Sequence, residues 1–328
     1  MRRVEDPALL TGEGTFIDTM QPEGVLHLHL VRSPFAHARI RSIELADAKA
    51  APGVVAVFRA EDLGIPPHHA FFALNAGIKR PALAENEVNF VGDAVVAILA
   101  ETRAQALDAA ELVDIDYEIL EPVVDMEYAV APSAPQLHSD APHNVAAGYR
   151  DPQGDSVLSD AEVVVRARFE NQRVAVMPME GNAILVLPQG EGDYLATVYV
   201  STQMPHSVAS LLAGVFGLEA SQIHVISPHV GGAFGGKAGI TSEHSVAFAA
   251  ARRLGRPVKW VETRSENLVA MPHGRGQVQY VELGLTRDGR FTGLRCRMIG
   301  DAGAYGGFGG GLVLGSTRNM AQGVYQIP

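Results

Sequence analysis

The chain is poor in cysteine. Cys296 is the only one among 328 residues, which excludes an internal disulfide. It also excludes an iron–sulfur cluster held by this chain alone, because such clusters take about four thiolates. Any redox chemistry must therefore use onward electron carriers on other chains. Basic residues are in deficit: 26 Lys and Arg stand against 37 Asp and Glu, a formal net charge of −11. A general nucleic-acid binder carries the opposite balance. Long apolar runs are missing too. The best candidate, residues 91–100, is interrupted by Asp93, so no membrane span is expected. The N-terminus, MRRVED, has charge but no apolar segment behind it, and no secretory leader is expected. A cytoplasmic protein is the expectation.

What remains is ordinary for a globular enzyme, with 47% hydrophobic and 19% charged residues and enough length for two domains. Residues 88–100 read as a strand, 101–112 as a helix with an apolar face, and 113–119 as a half-buried strand with acids at every second position. Strand–helix–strand implies a mixed α/β layer. Residues 129–155 carry Pro, Ala, Ser, His and Gly without periodicity and read as a linker. Beyond it, 160–170 and 193–200 read as strands and 204–218 as a helix, with Ser201 or Thr202 as caps and Pro205 in the first turn. Residues 277–286 and 291–300 read as a hairpin around Arg287-Asp288-Gly289-Arg290. Cys296 falls in its second strand, where a packed thiol is expected. The glycine-dense stretch 303–315 is expected to be a loop, lying on a ligand or another chain or simply exposed.

The most informative stretch is Gly231-Gly232-Ala233-Phe234-Gly235-Gly236-Lys237. It follows the apolar run 223–226 and precedes a helical pattern over 241–254 that Gly255 and Pro257 stop. Strand, glycine loop and helix form the layout of an anion cradle. The loop fits most of a nucleotide-binding pattern, but Ala238 stands where a magnesium-holding hydroxyl belongs. A nucleotide hydrolase is one reading; a turn with no ligand is the other. The pairs His27/His29 and His68/His69 have no cysteine or carboxylate at ligand spacing, so hydrogen-bonded histidines are expected rather than zinc. No catalytic serine elbow is present, and the acids 114, 116 and 118 have the spacing of a solvated face.

Several separated segments together carry a family resemblance: RVEDP with LTG in residues 3–12, RSPFAHARI at 32–40, VGDAVVA at 91–97, DIDYE at 114–118, STQ at 201–203, the 231–237 loop, and DAGAY at 301–305. In this order they resemble the molybdopterin-binding large subunit of the xanthine dehydrogenase/aldehyde oxidase family, which includes the aerobic carbon monoxide dehydrogenase large chain. The resemblance implies an α+β (mixed α/β) chain: an α/β hammerhead domain over 1–130, a linker over 131–155, and the first molybdenum-cofactor-binding domain over 156–328, truncated at its C-terminal end.

By the same resemblance Gln203 matches the glutamine that hydrogen-bonds an oxygen ligand of molybdenum. Phe234 and Gly235 match positions whose backbone lies against the metal and pterin, with Gly231, Gly232, Ala233 and Gly236 completing the cofactor loop. Neutral donors at fixed distance suit a buried metal–oxygen centre. Lys237 is expected to meet a phosphate or to pair with an acid such as Glu243.

The implied activity is that of a molybdenum-dependent oxidoreductase. It would hydroxylate an aldehyde, an N-heterocycle or a similar small substrate with water as oxygen source. Electrons would pass to iron–sulfur and FAD subunits. The general-base glutamate is expected on a segment absent from this sequence, so no catalytic residue and no direct metal ligand are assigned here. Activity is expected only with a second molybdopterin-binding chain or the missing C-terminal half. Ala238, where purine-oxidising members carry glutamate, disfavours xanthine. The competing reading within the family is a non-catalytic remnant acting as a binding or assembly module.

Overall fold

The computed structural model describes residues 3–71, 73–190 and 192–327, with residue 308 described in its backbone only. In chain order the strands are β1 (Leu26–Arg32), β2 (Ala38–Glu44), β3 (Val54–Phe58), β4 (Glu87–Val88), β5 (Ala94–Ala100), β6 (Asp114–Ile119), β7 (Val163–Asn171), β8 (Ala183–Leu187), β9 (Ala196–Val200), β10 (Ile223–Ile226), β11 (Val258–Val261), β12 (Gln277–Leu285) and β13 (Phe291–Gly300). Two compact units emerge, and they interleave along the chain. The first takes Met1–Phe71, Lys79–Glu121 and Val176–Met271; the second takes Phe72–Ile78, Pro122–Ala175 and Pro272–Pro328.

The first unit is built on a seven-stranded sheet in the order β10-β9-β8-β11-β1-β5-β3. β5 is buried along its whole length, which explains its unbroken apolar run: a strand covered on both faces needs no alternation. At its centre β1 pairs in parallel with β11, Leu26 opposite Val258. Strands from before residue 121 and after residue 176 thus share one sheet. Units that follow chain order were expected; long-range pairing of β1 with β11 crosses that order. The helices Pro205–Phe216 and Ser242–Leu254 pack on this sheet through Val208, Leu212, Val246, Ala247 and Phe248. A smaller sheet, β4-β2-β6, packs with the Arg103–Ala110 helix around Val95, Ile98 and Ala106.

The expected helix over 101–112 is Arg103–Ala110, capped by the Thr102 side chain. The expected strand over 88–100 is two strands, β4 and β5. Between them Gly92 takes a left-handed φ of +104° and its N–H donates to the Ser33 carbonyl. β8 has no counterpart in the sequence reading. The 204–218 helix is Pro205–Phe216 with Met204 as N-cap. Thr202 does not cap it; its Oγ1 accepts the Met204 N–H instead.

The second unit holds the three-stranded sheet β13-β12-β7. The β12–β13 hairpin is antiparallel as expected, and Cys296 lies half-buried in β13. The glycine-dense stretch corrects the sequence reading, because most of it is helix: Phe308–Met320. The glycines serve close packing. A Cβ on Gly309 would stand 2.0 Å from the His273 carbonyl oxygen, and one on Gly310 would stand 2.3 Å from that of Asp301. The backbone contact outweighs the low helix propensity of glycine.

Candidate cofactor-facing loop

Residues 231–236 lie between β10 and the Ser242–Leu254 helix. Gly232, Phe234 and Gly235 have left-handed φ values of +96°, +50° and +91°. Two of the three are glycines, for which this region is free of strain. Phe234 is the exception, and its ring is 79% exposed. The N–H of Gly235 donates to Oε1 of Gln203 at 3.1 Å. That bond sets the amide orientation and leaves Nε2 as an outward donor with no protein acceptor among the described residues. The N–H groups of Gly232, Ala233 and Phe234 likewise find no acceptor within the described chain. The structure therefore brings the predicted residues together: Gln203 is hydrogen-bonded to Gly235 beside a run of open peptide donors.

Beneath the loop sits a charge that the sequence reading missed. Glu180 Oε2 accepts three hydrogen bonds, from the Gly231 N–H at 2.8 Å, the Ser201 hydroxyl at 2.6 Å and the Lys237 ammonium at 2.9 Å. Lys237 also donates to the Ser201 Oγ at 2.7 Å. Its side chain has no exposure, against 16% for that of Glu180. Burial lowers the Lys237 pKa, and the hydrogen bond and charge of Glu180 act against that fall. A Cβ on Gly231 would stand 2.6 Å from the Glu180 Cβ, so a side chain there would force the loop off this carboxylate. No local pattern marks Glu180, whose partners lie 21, 51 and 57 positions away.

Two expectations are corrected here. Lys237 pairs with Glu180, not Glu243, because Arg32 occupies Glu243 at 2.8 Å. And the loop does not open onto a helix N-terminus, since the helix starts at Ser242. With its lysine buried and four residues between that lysine and the helix, the loop lacks the phosphate-gripping arrangement of a nucleotide hydrolase.

A second polar layer supports the first. Glu262 Oε2 accepts the Asn182 N–H at 2.7 Å and the amides of Asn182 and Asn267 at 3.1 and 2.8 Å. Burial still raises its pKa despite these bonds. Arg264 donates to the carbonyls of Pro178 and Met179, the segment leading into Glu180. Arg32 joins Glu243 to Glu266, at 2.8 and 3.0 Å. Burial alone would raise the Glu243 carboxyl, but the Arg32 and Arg80 guanidiniums hold it down at about 2. The segments 32–40 and 91–97 meet here: Arg32 donates to the Gly92 carbonyl and the Ser33 N–H to that of Asp93. They brace the start of the helix that follows the loop and do not reach the loop itself.

In the second unit the 301–305 segment is fixed by Asp301, which accepts the Arg173 guanidinium at 3.1 Å and the Gly303 N–H at 2.8 Å. Among the described residues no group of three or more His, Cys, Asp or Glu could hold a metal ion, and no helix is long and apolar enough to cross a membrane. The donor set suits a cofactor held through neutral N–H groups: an amide side chain and successive peptide donors, with the buried charges already neutralised among themselves.

Comparison with known proteins agrees with this geometry. Residues 11–121 match the aldehyde oxidase and xanthine dehydrogenase a/b hammerhead domain, and residues 137–328 match the molybdopterin cofactor-binding domain. The chain is 38% identical to the nicotine 6-hydroxylase large subunit of Paenarthrobacter nicotinovorans, over 92% of this chain and 38% of that protein. It is 37% identical to the carbon monoxide dehydrogenase large chain of Afipia carboxidovorans, over 93% of this chain and 39% of the relative. The structure of quinoline 2-oxidoreductase from Pseudomonas putida 86 superposes with a TM-score of 0.87 at 33% identity, covering all of this chain and 42% of that one. The chain thus spans about two fifths of the length of these relatives. With both domains matched in order and the loop geometry in place, the chain belongs to the xanthine dehydrogenase, aldehyde oxidase and carbon monoxide dehydrogenase large-subunit family.

Proposed function

We propose that this chain supplies one side of the cofactor site in a molybdenum hydroxylase large subunit. The residues are Gln203 and the loop Gly231, Gly232, Ala233, Phe234, Gly235 and Gly236. One observation carries the reading: the Gly235–Gln203 hydrogen bond holds a side-chain amide donor beside three peptide N–H groups without protein acceptors among the described residues. When bound, the molybdenum–molybdopterin group supplies the oxidative chemistry. Gln203 would hold one of its oxygens by a neutral hydrogen bond. The glycines would let the backbone approach closely, with the exposed Phe234 at the same turn. Lys237 and Glu180 stay below and keep the loop in shape.

The chemistry proposed for the whole protein is hydroxylation of a small electron-poor substrate with water as oxygen source. Electrons would pass to iron–sulfur and FAD subunits. The remaining cofactor contacts and the general base would come from a complementary segment or chain. Two relatives are named for nicotine and quinoline, which makes an aromatic N-heterocycle the first substrate class to screen. Ala238 disfavours xanthine. The chain-order scheme of a hammerhead segment over 1–130, a linker over 131–155 and a cofactor-binding segment over 156–328 is proposed as the evolutionary division, across which the folded units interleave.

The test is metal content and intact mass of the complex isolated through this chain from its native host. Near-stoichiometric molybdenum with additional chains is the expected result, and Gln203→Ala should lower molybdenum retention while leaving the complex assembled. A chain isolated alone and free of molybdenum would sink the proposal and favour a non-catalytic family member.

A further inference from the structure

A second polar site lies in the first unit, apart from the glycine loop. It is a cavity of about 200 Å³ whose wall includes Asp18, His27, His29, Arg103, Lys259 and Glu266. His27 stands opposite Lys259 in the parallel β1–β11 register. Period-two alternation puts His29 on the same face. Arg103 comes from the first position of the Arg103–Ala110 helix, which packs over β1.

The two cations of this wall, Lys259 and Arg103, form no ion pair among the described residues. Lys259 is 2% exposed, yet its ammonium meets only two carbonyl oxygens, of Met20 at 2.8 Å and Asp18 at 3.0 Å. Burial lowers its pKa, the Asp18 charge acts against that fall, and Arg103 adds to it. Buried ammonium groups are ordinarily paired, because desolvation otherwise favours the neutral form. Arg103 also makes no ion pair among the described residues. Glu266 is already engaged: Oε1 takes Arg32 at 3.1 and 3.0 Å, and Oε2 takes the Thr263 N–H at 2.9 Å. The Asp18 carboxylate forms no ion pair with either cation. Two cations without an ion pair among the described residues and two imidazoles therefore line one cavity beside the Asp18 carboxylate. The histidines register this field. Burial, then Lys259 and Arg103, lowers the His27 pKa, against Asp18. Burial lowers that of His29, against Glu266 and Glu111, with Arg32 and Arg103 adding to the fall.

We infer that this cavity is a binding site for a small oxyanion, a carboxylate or a phosphate, held by the Lys259 ammonium and the Arg103 guanidinium, with His27 and His29 as hydrogen-bonding walls. The anion would supply the counter-charge that Lys259 lacks, and it would take charge-assisted bonds from two directions. The volume admits an anion of phosphate or small-carboxylate size. The site is independent of the glycine loop, so it stands or falls separately from the proposed cofactor role.

The test is titration of the 328-residue protein with inorganic phosphate and, separately, with acetate. Binding is followed by calorimetry and by the imidazole NMR signals of His27 and His29. Saturable binding of either anion is expected, with perturbation of both histidines. Phosphate alone would identify a phosphate-type ligand, and acetate alone a carboxylate. Lys259→Met removes a buried charge and should weaken binding about tenfold or more. Should that variant fail to fold, Arg103→Ala carries the test from a surface position on the helix, with the same direction of change. Absence of saturation with both anions, or undiminished affinity in Arg103→Ala, would overturn the assignment.

Discussion

Two glycine-rich segments of this protein have similar composition and opposite fates. Residues 231–236 form an irregular loop with left-handed backbone at three positions. Residues 308–315 form the body of a helix. The loop presents unused peptide donors outward, and a buried carboxylate–ammonium pair holds it from below. The helix spends its glycines on contact: its backbone lies against the carbonyls of His273 and Asp301. Glycine in the first case provides conformational range, and in the second it provides the absence of a side chain. Composition does not separate these two uses. The partner surface does.

The comparison breaks most severely on the loop side. Removing one member of the Glu180–Lys237 pair leaves a buried charge without its partner, a loss of about 3–5 kcal/mol. Lys237→Ala and Glu180→Ala should each lower the unfolding free energy from denaturant titration by that order. The double substitution Glu180→Gln with Lys237→Met should recover part of it, because neither charge is then stranded. Equal losses in single and double variants would mean that the pair does not act as a unit.

Acid should weaken the same region next. His244, in the first turn of the helix after the loop, is fully buried. Its pKa falls to about 4, by burial first, with Glu243 opposing and Lys237 adding to the fall. The unfolded imidazole takes its proton near 6.5 and the folded one only near 4. Between those values the unfolded state binds more protons, so stability is present above pH 6.5 and is lost as pH falls toward 4. The limit is on the order of 3 kcal/mol for this residue. His27, His29 and His68 are lowered too and add in the same direction. His244→Phe should flatten urea-derived stability against pH across this window; an unchanged slope would count against a buried neutral imidazole.

The smallest effects sharpen the contrast inside the helix. Gly309→Ala meets a backbone carbonyl and should destabilise by about 1–3 kcal/mol. Gly315 has open space around its Cβ position, and Gly315→Ala should stabilise by about 0.5–1 kcal/mol through helix propensity. Opposite signs in thermal unfolding are the expected result. The same sign for both would remove the packing explanation for glycine in this helix.

Much of the local structure was legible in the sequence. β10 follows from a short apolar run, and the hairpin of β12 and β13 from two strand-like segments around Arg287-Asp288-Gly289-Arg290. The stop of the Ser242–Leu254 helix follows from Gly255, which caps it in left-handed conformation at φ +62°. The ordered motifs were sufficient to indicate the family. They did not separate roles: segments 32–40 and 91–97 carry the resemblance, yet Arg32 and Gly92 act as braces for the helix beyond the loop. β8 was missed because its run AILVL is buried almost throughout and shows no alternation.

The sequence alone determined what depends on near neighbours and on composition. That covers the alternating strands, the helix ends, the lack of cluster-forming thiols, and the glycine loop; Gln203 was singled out only through the family resemblance. Tertiary structure alone decided that Lys237 faces inward to Glu180. It decided that Arg32 claims Glu243, that β1 lies beside β11, and that a glycine-dense tail is helical. Each of these depends on groups tens to hundreds of residues apart. Burial then chooses among partners: once desolvated, a charge must find its opposite and a backbone must fit its neighbour, and neither condition is written in any short window of the chain.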